Sequence, residues 1–192
     1  MPTTTLFPTL FYTGDLANPA LLADLTDACR DVAAEDRAGQ RWSKAHGYRG
    51  YTSYASLDDL PQRDPRFADL AKKLDRHVAA FAREAQFDLA KKPKLDSLWI
   101  NILKPGGTHS GHILPHSIVS GTLYVAVPPG SGALKLEDPR LGLMMAAPAR
   151  PGTFHYAEPQ EGSLFLWESW LRHEVMPNAA KADRISISFN YR

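Results

Sequence analysis

The sequence predicts an α+β chain that is mainly β, a jelly roll over residues 94–192 with two N-terminal helices packed on it. Three observations predict this. Residues 1–93 carry two stretches with helical spacing of apolar residues. After Pro93, around eight short runs of β-formers alternate with turn clusters, as in an all-β sandwich or barrel. The 192-residue length suits a single domain, 1–192, which buries roughly 70% of the surface its unfolded chain exposes.

The first helix starts at Asn18-Pro19, a capping residue followed by proline where its missing N–H costs nothing. Leu21, Leu22, Leu25, Cys29 and Val32 then recur along one face. A second helix starts at Asp64-Pro65 and lines up Phe67, Leu70, Ala71, Leu74, Val78, Phe81, Ala82 and Ala85. Between them, Tyr48 to Tyr54 is rich in aromatics and hydroxyls, and suits either a short edge strand or a loop over a pocket. Strands are expected near Leu98–Leu103, Thr108–Leu114, Ile118–Val127, Ala133–Leu136, Thr153–Tyr156, Ser163–Trp167, Glu174–Met176 and Arg184–Tyr191. Pro105-Gly106-Gly107, Pro128 to Gly132, Pro139 and Glu161-Gly162 break them. The stretch from Leu141 to Glu161 is long enough to form either a lid or a plain surface loop.

Composition narrows the function. There are 22 basic and 21 acidic residues with no basic stripe, so no nucleic-acid partner is expected. A small-molecule or peptide substrate fits better, and nothing marks an oligomer interface. No apolar run approaches the roughly 18 residues of a membrane helix, and the N-terminus does not read as a leader peptide. The single cysteine, Cys29, fits a reducing, cytoplasmic setting.

Five of the seven histidines lie between residues 109 and 173. His109, His112 and His116 crowd one segment, His109-Ser110-Gly111-His112-Ile113-Leu114-Pro115-His116. The spacing of His112 and His116 matches a helical zinc motif. Gly111 and Pro115 argue against a helix, however, and Ile113 replaces the glutamate such a motif needs. As a strand, residues 112, 114 and 116 would share a face, directing two imidazoles into the barrel. Imidazole suits iron, zinc, copper or nickel. Farther on, a strand ending near Trp167 leads to a turn bearing His173, and Arg184 opens another strand eleven residues later. Arg184, Ser186 and Ser188 would share one face, a guanidinium fork with hydroxyls suited to a carboxylate.

These motifs, in this order, resemble the iron- and 2-oxoglutarate-dependent oxygenases of the prolyl-hydroxylase type. More closely, they resemble a small bacterial and phage family of 2-oxoglutarate–iron oxygenases. Trp99-Ile100-Asn101, Ser120 to Val125, Leu136 to Arg140, Ser169 to Val175 and Arg184 to Asn190 carry the resemblance. Leu6-Phe7-Pro8-Thr9 and Gly50 to Tyr54 extend it over nearly the full chain. The resemblance implies a double-stranded β-helix, Fe(II) as cofactor and 2-oxoglutarate as cosubstrate. It further implies His112 and His173 as metal ligands, Arg184 and Tyr124 on the far carboxylate, and Ser186 completing an Arg-x-Ser arrangement. His109 stands where several such enzymes place a tyrosine near the cosubstrate.

One position departs from the pattern. Two residues after His112, where an aspartate or histidine ligand is expected, stands Leu114. Three outcomes stay open: His116 supplies the third ligand, the metal has two protein ligands, or the fold persists with weakened or lost iron chemistry. A rival reading of a different class is a cupin-like protein binding metal or a small anion without 2-oxoglutarate oxygenase activity. Glu137 and Asp138 are further candidates on a strand end.

Overall fold

The computed structural model describes residues 2–16, 18–140, 145–147 and 152–192. Among the described residues are ten strands in two antiparallel sheets, with three α-helices and a short 3-10 turn, Leu60–Gln62, in the first half of the chain. The strands are β1 (Phe11–Asp15), β2 (Gly50–Thr52), β3 (Leu95–Leu103), β4 (His109–His112), β5 (Val119–Ala126), β6 (Leu134–Glu137), β7 (Phe154–Ala157), β8 (Ser163–Glu168), β9 (His173–Val175) and β10 (Arg184–Tyr191). The larger sheet runs β1-β8-β5-β10-β3-β2 and the smaller β4-β9-β6-β7. All eight strands expected after Pro93 form, each within three residues of its expected bounds.

The larger sheet is buried on both faces, and alternation assigns each face a role. Leu98, Ile100 and Ile102 of β3, with Ile185, Ile187 and Phe189 of β10, join a core cluster with helix residues. Those residues come from α1 (Pro19–Glu35) and α3 (Pro65–Glu84), including Leu25, Phe67, Leu74 and Phe81. The alternate residues Trp99, Asn101, Leu103, Arg184, Ser186 and Ser188 line a cleft on the opposite face. A second cluster lies on the cleft side and joins Tyr124, Leu134, Leu136, Phe165, Trp167 and Leu171. One strand therefore anchors the helices with its odd or even residues and furnishes the cleft with the others.

Both expected helix starts are capped by side chains. Asn18 accepts from the Leu21 N–H at 3.1 Å, and Asp64 from the Arg66 N–H at 2.8 Å. A third helix, α2 (Arg37–Ala45), was not expected from the sequence. It is only nine residues long and strongly polar, with few apolar side chains to mark it, and its start depends on Asp36 accepting from the Ala38 and Gly39 N–H groups. The segment Tyr48 to Tyr54 resolves as the edge strand β2, paired with β3. Strand β4 stops at His112, so the expected alternation of residues 112, 114 and 116 does not hold. Of the long stretch after Leu141, residues 141–144 and 148–151 lie outside the described residues. No helix among the described residues is long and apolar enough to cross a membrane.

Candidate metal and anion site

His112 and His173 come together because β4 and β9 are neighbours in the smaller sheet. The two residues are direct cross-strand partners, and their ring centroids are 4.3 Å apart. His173 also pairs with Leu136 on β6, so its backbone is held from both sides. Three residues apart on a regular strand, His109 and His112 would face opposite ways. The β4–β9 register shifts between them, and this irregularity turns both toward the cleft. Their rings stack at 4.5 Å with planes 20° apart.

Backbone carbonyls select the imidazole tautomers. A carbonyl oxygen only accepts, so His112 Nδ1–H donates to Ser110 O at 2.8 Å and His173 Nδ1–H donates to Leu171 O at 2.9 Å. Each ring's Nε2 lone pair is therefore free, the arrangement a metal-binding histidine needs. Burial above all, helped by the nearby His112, pushes His173 down to about 3. Burial, His112 and Arg184 take His109 down to about 4. Burial also lowers His112, opposed by its bond to the Ser110 carbonyl. All three rings are accordingly neutral near pH 7, the form that binds metal.

Arg184 opens β10 on the larger sheet and is only 2% exposed. One guanidinium nitrogen donates to Gly132 O at 3.2 Å, and the group lies 5.3 Å from the centre of the Tyr124 ring. Its Nε has no hydrogen-bond partner, and no acidic side chain lines the cleft among the described residues. A buried cation without a counter-charge is costly, so this end of the cleft is prepared for an anion. Tyr124 and Ser186 line the same cleft.

Several residues that sequence reasoning did not single out for the site also face it. Asn101 accepts from Thr52 Oγ at 2.9 Å and from Tyr48 OH at 3.4 Å, and it donates to Ser188 Oγ at 3.0 Å. Thr122 lies 3.3 Å from Ser188. This network gives the larger sheet a fixed polar wall. Its signal was the alternation of polar residues with apolar ones in β3 and β10. Tyr48 meets His109 edge-on at 5.9 Å, a contact across sequence that no local pattern announces. Trp167 packs on His173 at 4.6 Å between centroids, and its indole N–H has no partner among the described residues.

The remaining sequence candidates lie elsewhere. His116 is exposed, has a positive φ of 69° in the turn after β4, and is not among the residues lining the cleft. Its expected place as third ligand depended on a strand that ends four residues earlier. Leu114 does line the cleft, so leucine stands at the wall where a third ligand was expected. Glu137 pairs with Arg172 at 3.2 Å and Asp138 with Arg140 at 2.6 Å, and neither lines the cleft. Among the described residues, no group of three His, Cys, Asp or Glu side chains is arranged to hold a metal.

Comparison with known proteins follows this geometry. Residues 97–190 match the family model described as "Putative 2OG-Fe(II) oxygenase". The resemblance read from the sequence is thus borne out over the jelly-roll half, and with it a family that uses Fe(II) and 2-oxoglutarate. No curated protein sequence matches the chain. Among solved structures, a Pseudomonas putida prolyl-4-hydroxylase is similar at 19% identity and TM-score 0.67, over 96% of this chain and 93% of that one. A viral collagen prolyl hydroxylase from Paramecium Bursaria Chlorella virus-1, solved as a 2-oxoglutarate complex, gives 13% identity and TM-score 0.62 over 95% and 94%. HygX from Streptomyces hygroscopicus, with nickel, 2-oxoglutarate and hygromycin B bound, gives 15% and 0.65 over 95% and 82%. At these identities the likeness is one of fold.

Proposed function

We propose that this chain is an Fe(II)- and 2-oxoglutarate-dependent oxygenase whose metal is held by only two protein ligands, His112 and His173. The observation that carries the reading is the pairing of two free imidazole Nε2 atoms with a buried, uncompensated guanidinium in one cleft. Those groups suit a divalent metal at one end and a carboxylate at the other. Bound together, Fe(II) and 2-oxoglutarate supply the decarboxylation to succinate and carbon dioxide that activates dioxygen against a substrate C–H bond.

The chain's own residues bind, orient and shield. The Ser110 and Leu171 carbonyls hold the two imidazoles in their metal-ready tautomers. Arg184 would grip the far carboxylate through charge-assisted hydrogen bonds worth about 1.5–3 kcal/mol each, with Tyr124 and Ser186 beside it. His109, stacked on His112 and neutral, would flank the cosubstrate. Trp167, Trp99 and Leu114 are apolar surfaces that keep water from the reacting centre. A small molecule or peptide would approach from the open side of the cleft. The mainly helical part, 1–93, and the jelly roll, 94–192, would work as one unit, a reading supported by the core cluster they share. A cytoplasmic setting fits the lone buried Cys29.

Leu114 also favours a second reading, a cupin-like protein that binds metal or a small anion without oxygenase chemistry. Incubating the protein with Fe(II), oxygen and 2-oxoglutarate separates the two. Succinate formed in a protein-dependent, Arg184-dependent manner is the oxygenase result. Bound 2-oxoglutarate with no turnover under any substrate pool would favour the rival.

A further inference from the structure

Charge is balanced over the whole chain but segregated on its surface. Residues 37–57 carry three arginines, one lysine and no acidic residue, and residues 97–136 carry two lysines and no acidic residue. Helix α2, which the sequence did not announce, turns part of this excess into a surface. Arg37, Arg41 and Lys44 follow one another at spacings of four and three, so they share one face over about 10 Å of helix. All three are exposed, as are Arg49 and Lys104 beyond the helix. The Lys104 N–H donates to the Arg49 carbonyl at 3.1 Å, and the Arg49 guanidinium lies over Gly106, where an added Cβ would stand 3.1 Å from it. Among the described residues, Arg41, Lys44, Arg49 and Lys104 form no ion pair. Like charges at this helical spacing repel, and no acidic residue stands where it could relieve them.

The patch is fastened to one wall of the cleft without being part of it. Ser43, on the buried face of α2, accepts through Oγ from the Thr52 N–H at 3.2 Å, and Thr52 bonds Asn101 in the cleft wall. Tyr48, which lines the cleft, donates its N–H to the Ser43 carbonyl at 2.9 Å and is followed at once by Arg49.

We infer that Arg41, Lys44, Arg49 and Lys104 form a docking surface for an acidic segment of a peptide or protein substrate. This assignment rests on the oxygenase reading only in calling the partner a substrate. Arginine forks and lysine ammonium groups suit carboxylates, and surface cations beside a cleft raise the local concentration of an anionic partner. A short acidic peptide fits better than a nucleic acid because α1 bounds the patch with the opposite sign. Asp24, Asp27, Asp31 and Glu35 share one exposed face of α1, and that helix ends where α2 begins. A long polyanion spreading from α2 onto α1 would meet those four carboxylates.

Fluorescence anisotropy of a short labelled oligoglutamate peptide, with the full chain and no added metal, tests the docking surface. Binding is expected, and it weakens as salt rises from about 0.05 M to about 0.5 M. Arg41→Glu with Lys44→Glu weakens it about tenfold. The neutral pair Arg49→Gln with Lys104→Gln weakens it less and melts at the wild-type temperature. Lys91→Glu with Lys92→Glu makes the same charge change outside the patch and leaves binding near wild type. An equal loss in both charge-reversed pairs, or no loss in the first, overturns the docking surface. Tighter binding of a single-stranded RNA of equal charge, lost in the same variant, overturns the peptide partner in favour of nucleic acid. Either failure leaves the oxygenase reading standing, since succinate formation is measured separately.

Discussion

The smaller sheet and the larger sheet face each other across one cleft, yet they are built on opposite principles. The smaller sheet contributes short strands, neutral histidines and backbone carbonyls that orient them, with His112 paired to His173 and His173 held on its other side by Leu136. The larger sheet contributes long strands, a permanent cation at Arg184 and a side-chain network centred on Asn101. One wall presents two neutral nitrogen donors on backbone-oriented rings. The other stays charged, with its remaining donor waiting for a partner. On the proposed reading, a cleft divided this way would separate the residues that hold the ligand from those that hold the metal, and each wall could be damaged without the other.

The largest effect is expected from the metal wall. His173→Ala or His112→Ala should abolish metal binding, measured by metal analysis of protein purified without a histidine tag, while the melting temperature changes little. Retained stoichiometric metal in either variant would assign the metal elsewhere. Next comes the anion wall. Arg184→Ala should spare basal metal binding and weaken 2-oxoglutarate roughly 10- to 100-fold, as the loss of one charge-assisted hydrogen bond implies. An unchanged dissociation constant would remove Arg184 from the site.

A pH series sharpens the contrast through the buried imidazoles of the smaller sheet. In the unfolded chain His173 protonates near the ordinary 6.5, whereas in the fold it resists protonation down to about 3. The unfolded state therefore binds more protons between those values. The apo protein's stability is full above the ordinary imidazole range and drains as pH falls through that window. His173→Gln should flatten this acid dependence in thermal melts, and an identical slope in both proteins would count against the buried neutral imidazole. The smallest effect concerns neither wall. Asn18→Ala, which removes the first helix cap, should cost about 0.5–2 kcal/mol in denaturant melts and leave 2-oxoglutarate affinity unaltered.

Legibility in the sequence followed the same division. The long strands and Arg184 with its alternating hydroxyls were readable because period-two alternation in β10 is a local property. The two helix starts were readable for the same reason, since Asn18-Pro19 and Asp64-Pro65 encode caps within a few residues. Helix α2 and strand β1 were not, being short and dependent on partners distant in the chain, as when Asp36 bonds Tyr51 and Ser56 besides capping. On the smaller sheet, His112 and His173 were identified through family likeness, whereas His116 was placed by assuming that a strand ran on. The end of β4 at His112 and the left-handed backbone of His116 defeated that assumption, and the extent of β4 is set by its pairing with β9, which no local pattern shows. The ring contacts of Tyr48 with His109 and of Trp167 with His173 belong to the same class, since they exist only once both sheets close.

The most direct test of the whole account is a crystal structure of the protein with Mn(II) and 2-oxoglutarate, read by anomalous scattering. The predicted result is one metal bonded to the Nε2 atoms of His112 and His173, with a carboxylate of the ligand on Arg184 and no bond to His116. A metal bound elsewhere, or a ligand that leaves Arg184 unpaired, would contradict it.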